Sequence, residues 1–579
     1  MHRFEVWAPR PREVELVTDG ERRPMTAAPG GWWRADVAEA SAGTRYAFSL
    51  DGGPPRPDPR SQHQPEGVDG PSAVVDHASF DWHDESWRGL ALPGAVLYEL
   101  HVGTFSPEGT FDGAIARLDH LVALGVDAVE LMPVAEFSGD RGWGYDGVDL
   151  FAPHHAYGGP DGLKRLVDAC HQAGLGVVMD VVYNHLGPAG SFLPEFGPYL
   201  SDHHHTAWGD AVNFDGPDSD EVRRFVVDNA RHWLDHYHCD GLRLDAVHAI
   251  VDTSAMTILE ELGQAVRALA AHQRRPLFVI AESDLNDPRL VRSVDAGGFG
   301  LDAAWADDWH HSVHSALTGE AVGYYEDFVD SGALPKALEQ AWVIDGTWSA
   351  ARRRTHGRSP DGLDPHRFVV CTQNHDQIGN RAAGERSSAL MCEGRLRIAS
   401  ALLLTSPFVP MLFQGQEWAA RTPFQYFTGH SDPGLGAAVS RGRRQEFTAF
   451  GWDPADVPDP QDPATFERSR LDWSELDDDR HRRALEWHRT LIALRRSLPV
   501  LTDARVPAEV SCEGGLLLVR RGPVLVAANL GDARIVLAVP AGTTAVADSR
   551  HHPPEVGTRL VGAEVVLPVD SVVVLHDPS

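Results

Sequence analysis

Between residues 96 and 417, eight short apolar runs alternate with stretches of helical periodicity, and no other feature narrows the possible folds as far. The runs are VLYELHV (96–102), DAVELMPV (127–134), GVVMDVVYNH (176–185), GLRLDAV (241–247), LFVIAES (277–283), LDAAWADD (301–308), RFVVCTQNHD (367–376) and VPMLFQGQE (409–417). Between them lie FDGAIARLDHLVALG (111–125), GLKRLVDACHQAG (162–174) and SDEVRRFVVDNARHWLDHY (219–237). In the last, Val222, Phe225, Val226, Ala230, Trp233 and Leu234 recur at helical spacing, and its Ser-Asp start can cap the helix. Eight buried strands alternating with helices predict an α/β fold, the closed (β/α)8 or TIM barrel, over residues 93–495. An open doubly wound sheet is the rival, but no G-x-G-x-x-G follows the first strand.

Both flanks read as β-structure. Over 1–92, Phe4/Val6 and Val14/Leu16 alternate with polar neighbours, and Trp32-Trp33 and Tyr46-Ala47-Phe48 follow Gly/Pro punctuation. This predicts a small β-sandwich whose exit, PPRPDPRSQHQPEG (54–67), is too proline-rich for a helix or central strand. Over 496–579, LLLVRRGPVLVAANL (516–530), RIVLAVP (534–540) and SVVVLHD (571–577) predict a terminal antiparallel β domain, and 455–465 reads as a Pro/Asp-rich loop. The chain carries 51 Lys+Arg against 83 Asp+Glu, a net charge of −32, which repels phosphate backbones and anionic membranes. Nucleic acid and membrane are therefore excluded as expected partners, whereas a neutral substrate is not. Lysine occurs only at Lys164 and Lys336. The five cysteines show no C-x-x-C spacing; four sit in apolar stretches and read as reduced core residues. With no signal-peptide core and no run long enough to span a membrane, a cytoplasmic setting is expected.

Catalytic groups on such barrels gather at the C-terminal ends of the strands. Here those ends carry Asp180, Tyr183, Asn184 and His185 on strand three, and Arg243, Asp245 and His248 on strand four. Strand five ends in Glu282, and strand seven in Asn374, His375, Asp376 and Gln377. Each acid closes a strongly apolar run, where an unpaired carboxylate is costly. Arg243 and Asp245 share one strand face, so the guanidinium can keep Asp245 ionised and oriented, as a carboxylate nucleophile requires. A single strand-end aspartate is ordinarily a cap, and a lone Arg-x-Asp an ordinary ion pair. Three acids, one arginine and two histidines on the strand ends of one barrel are not so explained. His203-His204-His205 reads as a polar loop rather than a metal site, as do His310-His311 and His551-His552, while Trp143 and Trp208 are sugar platforms or loop packing.

DVVYNH (180–185), GLRLDAVH (241–248), the AE of VIAES (279–283) and NHD (374–376) resemble, in order, the four signature regions of the α-amylase superfamily of glycoside hydrolases. Within it, LYELHVGTFSPEGTF (97–111), WGYDGV (143–148), NHLGPAGSFL (184–193), DDWHHSVH (307–314) and QNHDQIGNR (373–381) are most similar to the malto-oligosyltrehalose trehalohydrolase family. The resemblance implies that Asp245 is the nucleophile, Glu282 the general acid/base and Asp376 the third acid, which favours the distorted, oxocarbenium-like sugar. It further implies that His185, His375, Arg243 and the platform Tyr145 surround that sugar. His248, the block Asp307, Asp308, Trp309, His310 and His311, and Gln377 and Asn380 are implied as substrate contacts. Asn184 matches a position that binds calcium in many amylases, but no metal and no cofactor is implied here. The N-terminal sandwich is implied to be of the carbohydrate-binding-module kind.

The implied reaction cleaves the α-1,4 bond next to the terminal trehalose of maltooligosyl trehalose, or of a related α-glucan, with retention of configuration. The loops after strands three, four and six are expected to form the trehalose pocket, with Trp208, Phe214, Trp309 and His248 as candidates. A glycogen branching or debranching enzyme would use the same acids, although branching enzymes usually show Ser-His-Asp-Glu where this chain has Asn374-His375-Asp376-Gln377. A glucan-binding scaffold on an inactive barrel is the other alternative, disfavoured because all three acids and Arg243 are present.

Overall fold

The computed structural model describes residues 1–448, 457–540, 542–549, 558–559 and 564–577; His551-His552 and the start of the 455–465 loop lie outside the described residues. Eight parallel strands close into a barrel, in the order of their sequence. They are Leu97–Leu100, Ala128–Leu131, Gly176–Val181, Gly241–Leu244, Phe278–Ala281, Ala303–Trp305, Phe368–Cys371 and Val409–Phe413. Each lies within one of the eight apolar runs. Because side chains alternate between faces, Leu97, Ala128, Val178, Ile280, Trp305, Val369 and Met411 fill the inside, while their neighbours face the helices.

Helices Gly159–Gln172, Ser219–Asp235, Ile258–Gln273, Asp307–Thr318, Glu393–Leu404 and Asp479–Ser497 wrap the barrel. The apolar stripe of Ser219–Asp235 is buried as its spacing requires, and Trp233 is 1% exposed; truncating such a residue to alanine costs about 3–5 kcal/mol. Its Ser-Asp start does not cap it. The N-cap is Asp218, in left-handed backbone, without a side-chain cap bond. Residues 111–125 form two short helices, Phe111–Ile115 and Leu118–Leu124, instead of one. Between strands five and six only two single 3-10 turns occur among the described residues, so the (β/α) repeat is incomplete there.

At the N-terminus two antiparallel sheets are built from His2–Trp7, Trp32–Val37 and Thr26–Ala28, and from Glu21–Pro24, Val14–Thr18, Arg45–Leu50 and Pro55–Arg56. The C-terminal sheet pairs Leu516–Arg521, Val524–Asn529 and Ser571–His576 as antiparallel neighbours. Three cysteines are buried rather than four: Cys170, Cys239 and Cys371 are enclosed, Cys392 and Cys512 are exposed, and all five are free thiols. Lys164 is fully buried beside the rings of Phe80 and Tyr237, and Lys336 pairs with Asp345 at 2.8 Å. Among the described residues no helix is long and apolar enough to cross a membrane.

Candidate active site

Arg243 organises the barrel mouth. It is wholly buried, and its Nη1 donates to both oxygens of Asp180 at 2.9 Å and to Asp245 Oδ1 at 2.8 Å, while Nη2 lies 3.6 Å from Glu282 Oε2. Asp245 and Glu282, one residue past neighbouring strands, are thereby brought onto the two terminal nitrogens of one guanidinium. The Arg243 plane lies over the Trp305 ring at 4.3 Å, which holds it across the barrel interior.

Backbone completes the pair. Ala246 follows Asp245 in the left-handed region, φ 41°, unusual for a residue with a Cβ. That turn aims its N–H at Glu282 Oε2, 2.6 Å away, and the next N–H, of Val247, donates to the Glu282 carbonyl. Asn184 Nδ2 donates to Asp245 Oδ2 at 2.7 Å and to its carbonyl at 2.9 Å. Burial pushes the Glu282 carboxyl up, and Asp245 and Asp376 add to this against the pull of Arg243, so Glu282 tends to keep its proton. Asp180 rises to about 7 by burial, restrained by Arg243.

Asp376 and His375 come from the short helix His375–Gly379, whose start is fixed by a capping box between Asn374 and Gln377. His375 Nδ1 lies 2.6 Å from Glu99 Oε1 and its Nε2 2.8 Å from the Tyr145 hydroxyl, which itself donates to Asp180 Oδ2 at 2.7 Å. Both ring nitrogens therefore donate, the signature of an imidazolium. Burial pulls the His375 pKa down, but Asp376 and Glu99 override it and raise it to about 9. Tyr145 reaches this position because Gly144, φ 101°, packs where a Cβ would stand 2.0 Å from the Pro133 carbonyl oxygen. His185 bonds the Tyr145 carbonyl and is stacked by Trp208 at 4.9 Å.

The remaining sequence-derived contacts divide into two groups. Asp307 faces Glu282 and Asp376; burial, then these two acids, raise its carboxyl well above the ordinary range. Gln377 reaches Asp307 at 3.4 Å, Asn380 reaches Asp376 at 3.3 Å, and His248 is exposed on the Glu282 side. Asp308, Trp309 and His310 instead form the wall behind the cleft, which corrects the expectation that the whole block meets substrate. One Asp308 oxygen accepts from Asn286, Val343 and Ile344; Trp309 is 0% exposed; His310 bonds the Thr372 carbonyl. On this helix residues four apart share a face, so Asp307 and His311 lie together and are less enclosed than the three side chains between them.

Sequence reasoning missed Glu99, the role of Asp180 as a partner of Arg243 and Tyr145, and the Ala246 N–H. An acid in the middle of the apolar run VLYELHV was the available signal for Glu99. Among the described residues one group, Glu136, His154 and His155, has metal-ligand proximity. There the Ala156 N–H donates to His154 Nδ1, so Nε2 carries the proton that faces the Gly139 carbonyl and has no lone pair to offer. The Asn184 amide is occupied by Asp245 and His185. His203, His204 and His205 lie on the hairpin strand Leu200–Thr206, with His205 paired to Asp210.

The model for the alpha amylase catalytic domain matches residues 72–195. A malto-oligosyltrehalose trehalohydrolase of Arthrobacter ramosus is 55% identical over 535 residues, covering 91% of this chain and 92% of that protein. A crystal structure from Salmonella typhimurium, provisionally carrying the alpha amylase name, superposes with a TM-score of 0.90 at 37% identity, covering 99% of this chain and 97% of the other. A 1,4-alpha-glucan branching enzyme of Xanthomonas euvesicatoria is 29% identical and covers 60% of this chain and 53% of its own length.

Proposed function

Because the chain belongs to the malto-oligosyltrehalose trehalohydrolase family, we propose that it is a retaining α-glycosidase hydrolysing the α-1,4 bond next to the terminal trehalose of maltooligosyl trehalose. Trehalose and a shortened maltooligosaccharide leave. The observation that carries the chemistry is the sharing of one guanidinium by Asp245 and Glu282. Retaining enzymes hold their two carboxyl groups about 5–5.5 Å apart, inverting ones about 6.5–9.5 Å; two acids on adjacent nitrogens of one arginine support the shorter spacing.

In this reading Asp245, fixed by Arg243 and Asn184, attacks the anomeric carbon. Glu282, kept protonated by burial and neighbouring acids, protonates the glycosidic oxygen, then as a carboxylate takes a proton from the water that hydrolyses the glycosyl-enzyme. Asp376, whose side chain is 45% exposed at the mouth, holds hydroxyls of the same sugar over Tyr145, which the charged His375 and His185 position through its hydroxyl and its backbone carbonyl. The leaving trehalose lies on the Glu282 side. Trp208, 52% exposed, with His248, Asp307 and His311, is assigned to its pocket, whereas Phe214 and Trp309 are enclosed and are not.

Three units dividing near residues 92 and 496 are part of the proposal, supported by a barrel that opens at Leu97 and a last helix that ends at Ser497. So is a cytoplasmic setting, supported by five free thiols. The test pairs maltooligosyl trehalose with a maltooligosaccharide of equal length. Trehalose release is expected to far exceed release of glucose or maltose, and NMR is expected to show the α-anomer of the new reducing end first. Equal rates refute the specificity, and a β-anomer refutes the mechanism. Iodine staining of a treated α-glucan exposes branching activity.

A further inference from the structure

Glu130 is a buried acid for which the hydrolytic scheme has no use. It lies two residues after Ala128 on the second barrel strand, and so points to the same, inward face. In register it sits between Glu99 of the first strand and Val178 of the third. It is 1% exposed, and neither carboxyl oxygen has a hydrogen-bond partner. Three donors inside the barrel are in the same condition: Nε and Nη2 of Arg243 and Nε1 of Trp305. Among the described residues, Glu130 is the inward-facing side chain of the barrel strands with unmatched acceptor atoms.

The charged and titratable groups that face Glu130 are Glu99, Asp180, Arg243 and His375, with Cys371 on the seventh strand. Burial, then Glu99 and Asp180, drive its carboxyl well above the ordinary range against Arg243 and His375. As a carboxylate it would confront two further acids with no N–H on either oxygen, the arrangement a protein interior tolerates least.

We propose that Glu130 is a positioning residue for Arg243 that works as an uncharged carboxylic acid, its oxygens taking the N–H groups that Asp180 and Asp245 leave free through one bridging water. Being neutral, it leaves the Arg243 charge to Asp180, Asp245 and Glu282. The role rests on the hydrolytic reading of the cleft, but the first test does not. Infrared difference spectra of the wild type and Glu130→Gln at neutral pH are expected to show a protonated-carboxyl band that the variant lacks. A carboxylate band in its place overturns the proposal whatever the activity.

The second test is kinetic, on maltooligosyl trehalose. Glu130→Leu, which fills the space without hydrogen bonding, is expected to lose roughly ten- to hundred-fold in kcat with KM unchanged. Glu130→Gln, the neutral isostere, is expected to rescue kcat to within about two-fold, with both limbs of the pH profile in place. A fully active Leu variant reduces Glu130 to packing, and a displaced pH profile in the Gln variant reveals a working charge; either overturns the proposal. If the Leu variant does not fold, the Gln profile and the infrared band decide. Should the wild type cleave no α-glucan, the hydrolytic reading fails while the infrared result stands.

Discussion

Replacing Gly379 with alanine adds one methyl group where the fold has no room for it. A Cβ there would lie 2.1 Å from both Cζ2 and Cη2 of Trp143, and the backbone at Gly379 is not left-handed, so the conflict is purely steric. Moving those atoms out to 3.4 Å, where ordinary contact begins, requires the ring to retreat by about 1.3 Å. It is poorly placed to do so. Trp143 is 5% exposed, stacks on Phe424 at 5.3 Å, meets His375 edge-on at 5.5 Å and donates Nε1–H to the Gln425 carbonyl at 3.0 Å. The displacement passes to His375 and, two residues along the chain, to Tyr145. Overpacking of this kind costs about 1–3 kcal/mol of stability. A misplacement of about 1 Å at a catalytic site costs about a hundred-fold in rate, or about 2.7 kcal/mol of barrier. Steady-state kinetics and thermal melting of Gly379→Ala measure both. Adding Trp143→Leu, which removes the two colliding atoms, is expected to recover part of the loss, with a coupling energy of about 0.5–3 kcal/mol. Wild-type kcat in the single variant, or strictly additive losses in the double variant, refutes this steric path.

Asp245→Asn is expected to bind substrate yet form no covalent intermediate; trapping a glycosyl adduct on another residue removes Asp245 from the role. Glu282→Gln is expected to lose about 10²–10⁴-fold in kcat while melting normally, and wild-type turnover contradicts its assignment. Asn184→Ala removes a charge-assisted bond worth about 1.5–3 kcal/mol, so kcat is expected to fall roughly ten- to hundred-fold; a change confined to KM argues for a binding role instead. Burial lowers the pKa of His101 to about 4 and of His154 to about 3, from 6.5 in the unfolded chain. The unfolded chain takes these protons first, so this stability is intact above about pH 6.5 and shrinks as pH falls, by about 2 kcal/mol per histidine at pH 5. Because Asp180 and His375 shift the other way, the check is His101→Gln/His154→Gln against the wild type: urea midpoints that change identically between pH 7 and pH 5 in both proteins contradict this.

The barrel was legible because every strand is an apolar run that stops at a polar residue, and burial on both faces writes that pattern directly into the sequence. The three acids, the arginine and the two histidines at the strand ends were legible for the same reason. What was not legible depends on partners distant in the chain. Glu99 and His375 are 276 residues apart, and nothing in either run names the other. The Ala246 N–H had no residue-type signal at all, since alanine gives no hint of left-handed backbone. The block 307–311 misled because a resemblance covers consecutive residues whereas a helix shows only some of them to the cleft. The long connection after strand six, with helix Ala333–Gln340 and hairpin Thr347–Ser349/Arg354–His356, had no clear period to betray it.

Arg243 touches three acids at once, which makes the chemical centre indivisible. Retuning one carboxyl through its arginine would retune the other two, so variation that preserves turnover is confined to places the guanidinium does not reach. Directed evolution toward other leaving groups should accordingly accumulate its changes at the exposed rim, at Trp208 and His248, while the barrel floor stays fixed.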